Sequence, residues 1–203
     1  MTTDIRLDVA LIHYPVVNRN NEIIASAVTN LDLHDIARAG RTFGVGTYWV
    51  VTPDAQQQIL SRQIIDHWTT GYGGAVSRDR AEALSLVRIC DDLDEVIAGM
   101  HESCGRQPMV IATSADRQNN SITCGDVQLE LVQGTPVLLV FGTAWGLAPE
   151  VMQSVDATLP PINGPGDFNH LSVRSAVSII LDRLFGNRED AAEKNKKDPS
   201  EQR

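Results

Sequence analysis

Val137-Leu-Leu-Val-Phe-Gly-Thr-Ala-Trp-Gly-Leu147 is the stretch on which the fold turns. Its first five residues are apolar without polar alternation, the pattern of a strand buried on both faces of a parallel sheet. The run empties into a turn bracketed by Gly142 and Gly146. Glycine accepts left-handed conformations and lacks a Cβ, so such a turn can bring backbone N–H groups close to a ligand, with Trp145 offering an aromatic face. A tight strand-to-helix connection around a buried Trp145 has the same spacing.

Similar apolar, β-branched runs recur at residues 9–13, 48–52, 84–89 and 110–113. Helical patterns lie between them at 33–42, 53–68, 91–101 and 125–132. Strands that alternate with helices predict an α/β fold, a mostly parallel sheet flanked by helices on both faces. Pro53 and Asp54 directly after a strand form a good helix start. The last helix is the best defined: Val173, Val177, Ile180, Leu181 and Leu184 make one apolar stripe, and Gly186 ends it. Residues 1–186 read as one domain without internal repeats. Residues 187–203 carry five basic and five acidic side chains and almost no apolar ones, which predicts a disordered, solvated tail.

A chain of 203 residues with 42% hydrophobic content fills one such domain but not two. No apolar run is long enough to span a bilayer, and residues 1–6 lack the regions of a signal peptide, which predicts a soluble, cytoplasmic protein without membrane contact. Cys90, Cys104 and Cys124 are odd in number and widely spaced, so neither a disulfide framework nor a metal site is expected. The net charge of −9 opposes nucleic-acid binding by bulk electrostatics. Through residue 186 there is no lysine, so every fixed positive charge of the domain is an arginine, whose planar fork grips phosphate in a bidentate way.

Three loops are richer in special residues than folding requires. They begin at Thr113-Ser114-Ala115, at Phe141, and at Pro160-Pro-Ile-Asn-Gly-Pro-Gly166. All would leave C-terminal ends of parallel strands, where open α/β sheets bind ligands. The proline- and glycine-crowded third loop is a shaped segment, not a flexible linker, and feeds the last helix. There Asn169 or Ser172 can act as N-cap; alternatively, free N–H groups at the helix start face a polar ligand group. No phosphate loop, H-E-x-x-H, nucleophile elbow or strand-linked dinucleotide fingerprint is present, and Gly71-Tyr-Gly-Gly74 follows a helix and so does not qualify as the last.

Three segments in this order, Asn30-Leu-Asp-Leu-His-Asp-Ile-Ala-Arg38 with Phe43-Gly44-Val45, then residues 138–147, then His170-Leu-Ser-Val-Arg-Ser-Ala176, resemble the three motifs of the SPOUT methyltransferases. His13-Tyr-Pro-Val16, Ala27-Val-Thr-Asn30, Phe141-Gly-Thr-Ala-Trp-Gly-Leu147 and Asn169-His-Leu-Ser-Val-Arg-Ser-Ala176 are similar to a bacterial subfamily that resembles the C-terminal part of tRNA guanine-N1 methyltransferase. The resemblance implies a C-terminal deep trefoil knot, a homodimer with the active site at its interface, and an RNA substrate, tRNA or rRNA. It also implies S-adenosylmethionine as cofactor, held by Thr113 and Ser114, by Phe141, Gly142, Thr143, Trp145, Gly146 and Leu147, and by Pro161, Ile162, Leu171 and Ser172.

Arg38 matches the arginine of the first motif, which in ribose-methylating relatives positions or activates the acceptor hydroxyl. The alternative for Arg38 is an ion pair with Asp35 or Asp32 on its own helix. Thr143-Ala144 and Ser172 stand where many ribose-methylating relatives have an acidic residue and an asparagine, so a base nitrogen and a ribose 2′-hydroxyl are both open as acceptor. Asp167, His170 and Arg174 are the polar groups nearest the third loop. Arg38, His170 and Arg174 are the catalytic candidates, with Arg174 expected on RNA phosphate. The rival readings are a module that binds S-adenosylmethionine or a nucleotide without methylating RNA, and a methyltransferase acting on protein or a small molecule.

Overall fold

The computed structural model describes residues 6–186; the charged tail expected to be disordered lies outside the described residues. In chain order the elements are β1 (Leu7–Ile12), β2 (Val16–Val17), β3 (Ile23–Ile24), α1 (Asn30–Thr42), β4 (Tyr48–Val51), α2 (Ala55–Thr69), α3 (Tyr72–Val76), α4 (Arg78–Leu84), β5 (Val87–Cys90), α5 (Leu93–Cys104), β6 (Met109–Thr113), α6 (Cys124–Val132), β7 (Val137–Gly142), α7 (Pro149–Ser154), β8 (Ala157–Leu159) and α8 (Val173–Phe185). Six strands form one sheet in the order β5-β4-β1-β7-β6-β8, and every neighbouring pair is parallel. The β2-β3 ribbon is antiparallel.

Alternation along β1 divides the interior in two. Leu7, Val9 and Leu11 pack in a core with Leu33 and Ile36 of α1 and Val177, Ile180, Leu181 and Leu184 of α8. Ala10 and Ile12 pack on the other side, with Val96 and Met100 of α5 and Val151 of α7. Burying each of these larger side chains contributes about 1.5–3 kcal/mol, so the central strand is anchored through both faces.

The alternation is broken by Asp8, a fully buried carboxylate in β1. It is tolerated because its oxygens are engaged: the Thr47 N–H donates to Oδ1 at 2.9 Å, Trp49 Nε1 donates to Oδ2 at 3.0 Å, and Arg6 Nε lies 3.0 Å from Oδ1. This ties the chain entering β4 to the start of β1.

The expected strand at 84–89 begins later, because Leu84 closes α4 and only Val87–Cys90 pair with β4. Leu84 is fully buried at the end of that helix, and a buried apolar residue has the same signature there as in a strand. Asp54 caps α2 by accepting from the N–H groups of Gln56 and Gln57. At the outer edge of the sheet, the Ile122 N–H donates to the Thr158 carbonyl and the Thr158 N–H to the Asn120 carbonyl, so the 120–122 segment runs along β8. At the opposite edge, Arg88 Nη1 donates to the carbonyls of Ser85 and Val87.

Replacing Asp8 by alanine strands the Trp49 and Thr47 donors. Urea denaturation of Asp8→Ala is expected to show a loss of about 3 kcal/mol, with a smaller loss for Asp8→Asn, which retains an acceptor. Wild-type stability in Asp8→Ala would contradict this account of the buried carboxylate.

Candidate functional site

Because the sheet is parallel, β7, β6 and β8 deliver their C-terminal ends side by side, and the three loops leave from those ends. Thr113 closes β6, its hydroxyl donating to the Val140 carbonyl at 3.2 Å. In the next residue, Ser114 Oγ accepts from the Asp116 N–H. Asn169 in the third loop donates through Nδ2 to the Ala115 carbonyl at 2.8 Å, fastening that loop to the first. The helix start is therefore capped by Ser172, which accepts from the Ser175 N–H at 3.3 Å.

The middle loop is shaped by its glycines. Gly146 N–H donates to the Thr143 carbonyl at 3.0 Å, closing a turn with φ of +52° at Ala144 and +122° at Gly146. A Cβ on Gly142 would lie 2.7 Å from Leu147 N, inside contact distance, so the loop can fold back only over glycine. The β2 segment braces it: Trp145 N–H donates to the Val17 carbonyl and Val17 N–H to the Gly146 carbonyl.

Trp145 is 66% exposed, which replaces the buried-tryptophan reading of this turn. Phe141 and Leu147, in contrast, are buried, and their side chains face the cores. Ile162 packs partly against the core, Pro161 is half-buried, and Leu171 and Ser172 are exposed.

A hydrogen-bonded chain beneath the middle loop was not legible in the sequence. Thr143 Oγ1 donates to the Ile12 carbonyl at 2.9 Å, and Ser26 Oγ lies 2.5 Å from Thr143 Oγ1 and 3.0 Å from His13 Nδ1. With the Thr143 proton committed to Ile12, Ser26 donates to Thr143 and accepts from His13 Nδ1; the hydrogens are assigned from the network. His13 Nε2 is buried without a hydrogen-bond partner among the described residues. Burial pushes the His13 pKa down from 6.5 to about 4, against the opposing pull of Asp32, so the ring is neutral near pH 7. A histidine closing an apolar strand was the one available signal.

Alongside the loops, α1 and α8 enclose an open groove of about 940 Å³ lined by Leu31, Asp35, Arg38, Ser172, Arg174 and Ile179, among others. Arg38 and Arg174 thus share one groove, and Ser172 connects it to the third loop. Arg174 Nε lies 3.6 Å from Asp32 Oδ1 and its Nη1 3.9 Å from Asp35 Oδ2. The two carboxylates weighed as partners for Arg38 therefore face Arg174, because packing of α8 on α1 brings that side chain over them. Arg38 is exposed. His170 is not among the groove-lining residues; its ring meets Phe168 edge-on at 5.5 Å.

An all-parallel α/β sheet with glycine-shaped loops at its C-terminal edge is the architecture on which nucleotides and cofactors are bound at that edge. The family is given by comparison: the model described as SAM-dependent RNA methyltransferase matches residues 6–186, and the chain belongs to that family. A relative from Oleidesulfovibrio alaskensis named tRNA (guanine-N(1)-)-methyltransferase is 45% identical over 181 residues, covering 87% of this chain. The chain spans only 41% of that relative's length. An uncharacterized protein of Aquifex aeolicus is 42% identical over 179 residues, covering 87% of each. Among solved structures, the SpoU methyltransferase AviRb from Streptomyces viridochromogenes, crystallised with AdoMet, superposes with a TM-score of 0.55 at 17% identity, covering 93% of this chain and 59% of that one. The fold is of the SpoU kind.

The His13 shift has a definite sign. An unfolded histidine takes up a proton near pH 6.5 and the folded one only near 4, so between those values the unfolded chain binds more protons and stability falls with falling pH. This group alone is expected to remove about 3 kcal/mol by pH 4, measured as unfolding free energy against pH. In His13→Gln that component should vanish; a profile parallel to wild type would overturn the assignment.

Proposed function

We propose that the three loops hold S-adenosylmethionine and that the chain, as a homodimer, methylates a tRNA or rRNA from the α1–α8 groove. The observation that carries this reading is the convergence of the loops on three adjacent strand ends, within a chain that belongs to a SAM-dependent RNA methyltransferase family. The site fits the cofactor: Trp145 presents an exposed aromatic face, Gly142 lets the middle loop fold back where a Cβ would strike Leu147, and the exposed start of α8 brings Leu171 and Ser172 beside the third loop. Thr113, Ser114, Thr143, Gly146, Pro161 and Ile162 complete the set. The buried side chains of Phe141 and Leu147 leave their backbone groups as the contacts.

When bound, S-adenosylmethionine supplies a methyl group on an electrophilic sulfonium. The chain's own residues bind, orient and accept a proton. Arg38 has no carboxylate within ion-pair distance among the described residues and lies open to the groove, which suits it to hold or polarise the acceptor nucleotide. Arg174, steadied by Asp32 and Asp35, suits a phosphate contact. His170 is exposed and available to take the acceptor's proton. Alignment of two substrates can itself supply roughly 7–11 kcal/mol, so few catalytic side chains are needed.

The relative's name favours a guanine nitrogen of tRNA as acceptor over a ribose hydroxyl. The knot is supported by the 120–122 segment passing outside β8 while the chain leaving β8 returns to α8, packed with α1 and α6. Exposed Leu31, which lines the groove, and exposed Leu171, next in sequence to the groove-lining Ser172, support dimerisation there. No helix among the described residues is long and apolar enough to cross a membrane, in keeping with action in the cytoplasm. The net charge of −9 favours the rival, a cofactor-binding module without RNA methylation.

Calorimetric titration with S-adenosylmethionine and S-adenosylhomocysteine is expected to give micromolar binding that Gly142→Val abolishes; no binding by wild type would overturn the cofactor site. Methyl incorporation into unmodified tRNA and rRNA transcripts separates enzyme from binding module. Arg38→Ala is expected to lower that rate about 10²-fold with cofactor affinity unchanged, the size typical of removing one transition-state donor.

A further inference from the structure

Residues 67–80, from the end of α2 to the first turn of α4, are richer in aromatic and basic groups than packing demands, and no step above uses them. Arg80 places its guanidinium carbon 4.2 Å from the centroid of the Trp68 ring. His34 and His67 meet the same indole edge-on, at 5.6 and 5.0 Å. The arrangement is built by the glycines of Gly71-Tyr-Gly-Gly74: a Cβ on Gly73 would lie 2.6 Å from Trp68 Cε3, and one on Gly71 2.8 Å from the His67 carbonyl. Tight folding here leaves Tyr72 81% exposed, in a chain with only 5% aromatic residues.

We propose that this face, with Tyr72 and the Trp68-supported Arg80 at its centre, docks a single-stranded segment of the RNA substrate. The inference rests on the RNA-methylating reading above. A guanidinium held over an indole can offer a planar face to a base and an edge of N–H donors to phosphate. Tyr72 offers a further ring, and base stacking on such rings is tolerant of sequence. The face connects with the groove along a single helix: His34 touches Trp68 and stands one turn from Arg38, which lines the groove. Burial, and after it the nearby Arg80, hold the His34 pKa below its usual value, with Asp35 opposing and Arg38 adding a smaller push in the same direction as Arg80. Arg41 is not available, since Glu82 holds it. Asp66 borders the stretch and Asp79 lies within it, which limits bulk attraction and makes stacking the main source of affinity.

The test is fluorescence-anisotropy titration of a labelled, mixed-sequence, 12-nucleotide single-stranded RNA and of the same sequence as a duplex, across a salt series. Wild type is expected to prefer the single strand. Tyr72→Ala, at an exposed position, should weaken it about tenfold without changing the salt slope; Arg80→Ala should weaken it similarly and reduce the slope by about 0.7, one phosphate. Cofactor affinity should stay at the wild-type value in both. If wild type binds RNA and both variants match it in affinity and slope, the docking face is wrong and the RNA-methylating reading stands. If wild type binds cofactor but no RNA, that reading fails and the docking proposal with it.

Discussion

Six consecutive parallel register pairs join β1 to β7, from Leu7 opposite Val137 to Ile12 opposite Gly142, and the other features of the molecule hang on that seam. The sheet grows from β1 through β4 and β5 in one direction, and from β7 through β6 and β8 in the other. In open α/β sheets such a reversal is the usual place for a ligand, at the carboxyl ends of the two central strands. It also brings the end of β1 beside the turn after β7, so that Thr143 can bond to the Ile12 carbonyl and, through Ser26, to His13. A shift of one residue in this pairing would turn the interior side chains of both strands to the wrong face and dissolve the relay with them.

Polar groups buried in this seam differ in how they are satisfied. Asp8 is surrounded by donors, whereas burial holds His13 neutral near pH 7 and leaves Nε2 without a hydrogen-bond partner among the described residues. The first stabilises the base of the sheet, far from the loops. The second stands under the middle loop, where an uncharged imidazole braces the turn through Ser26 and Thr143. The domain carries an acidic excess and only arginine as fixed positive charge through residue 186, so the placing of individual guanidinium groups, more than their number, decides what it can bind.

Much of the fold was readable because parallel strands are buried on both faces and announce themselves as apolar runs; β1, β4, β6 and β7 fall where those runs lie. The three-residue β8 and the two-residue β2 and β3 are too short for any periodicity, and the glycine-rich segment containing α3 carries no apolar stripe. At the site, the loops were legible through glycine, proline and their position after strands. The partners of Arg174 were not: Asp32 and Asp35 lie on a helix far away in the chain, and local spacing favours pairing them with Arg38. Ser26 sits in an irregular stretch with no pattern of its own, and only the closure of β1 on β7 gives it a role.

The two margins of the sheet are already spoken for. Along β8 the hydrogen-bonding groups of Thr158 are taken by Asn120 and Ile122 of the same chain, and beside the short β5 the guanidinium of Arg88 covers the Ser85 and Val87 carbonyls. An open strand margin invites another polypeptide to add itself, the route to fibres and swapped assemblies. Where these groups are taken, a second copy has fewer backbone partners to add to, and any association of copies would fall to helix faces, where side-chain shape, rather than generic backbone pairing, selects the companion.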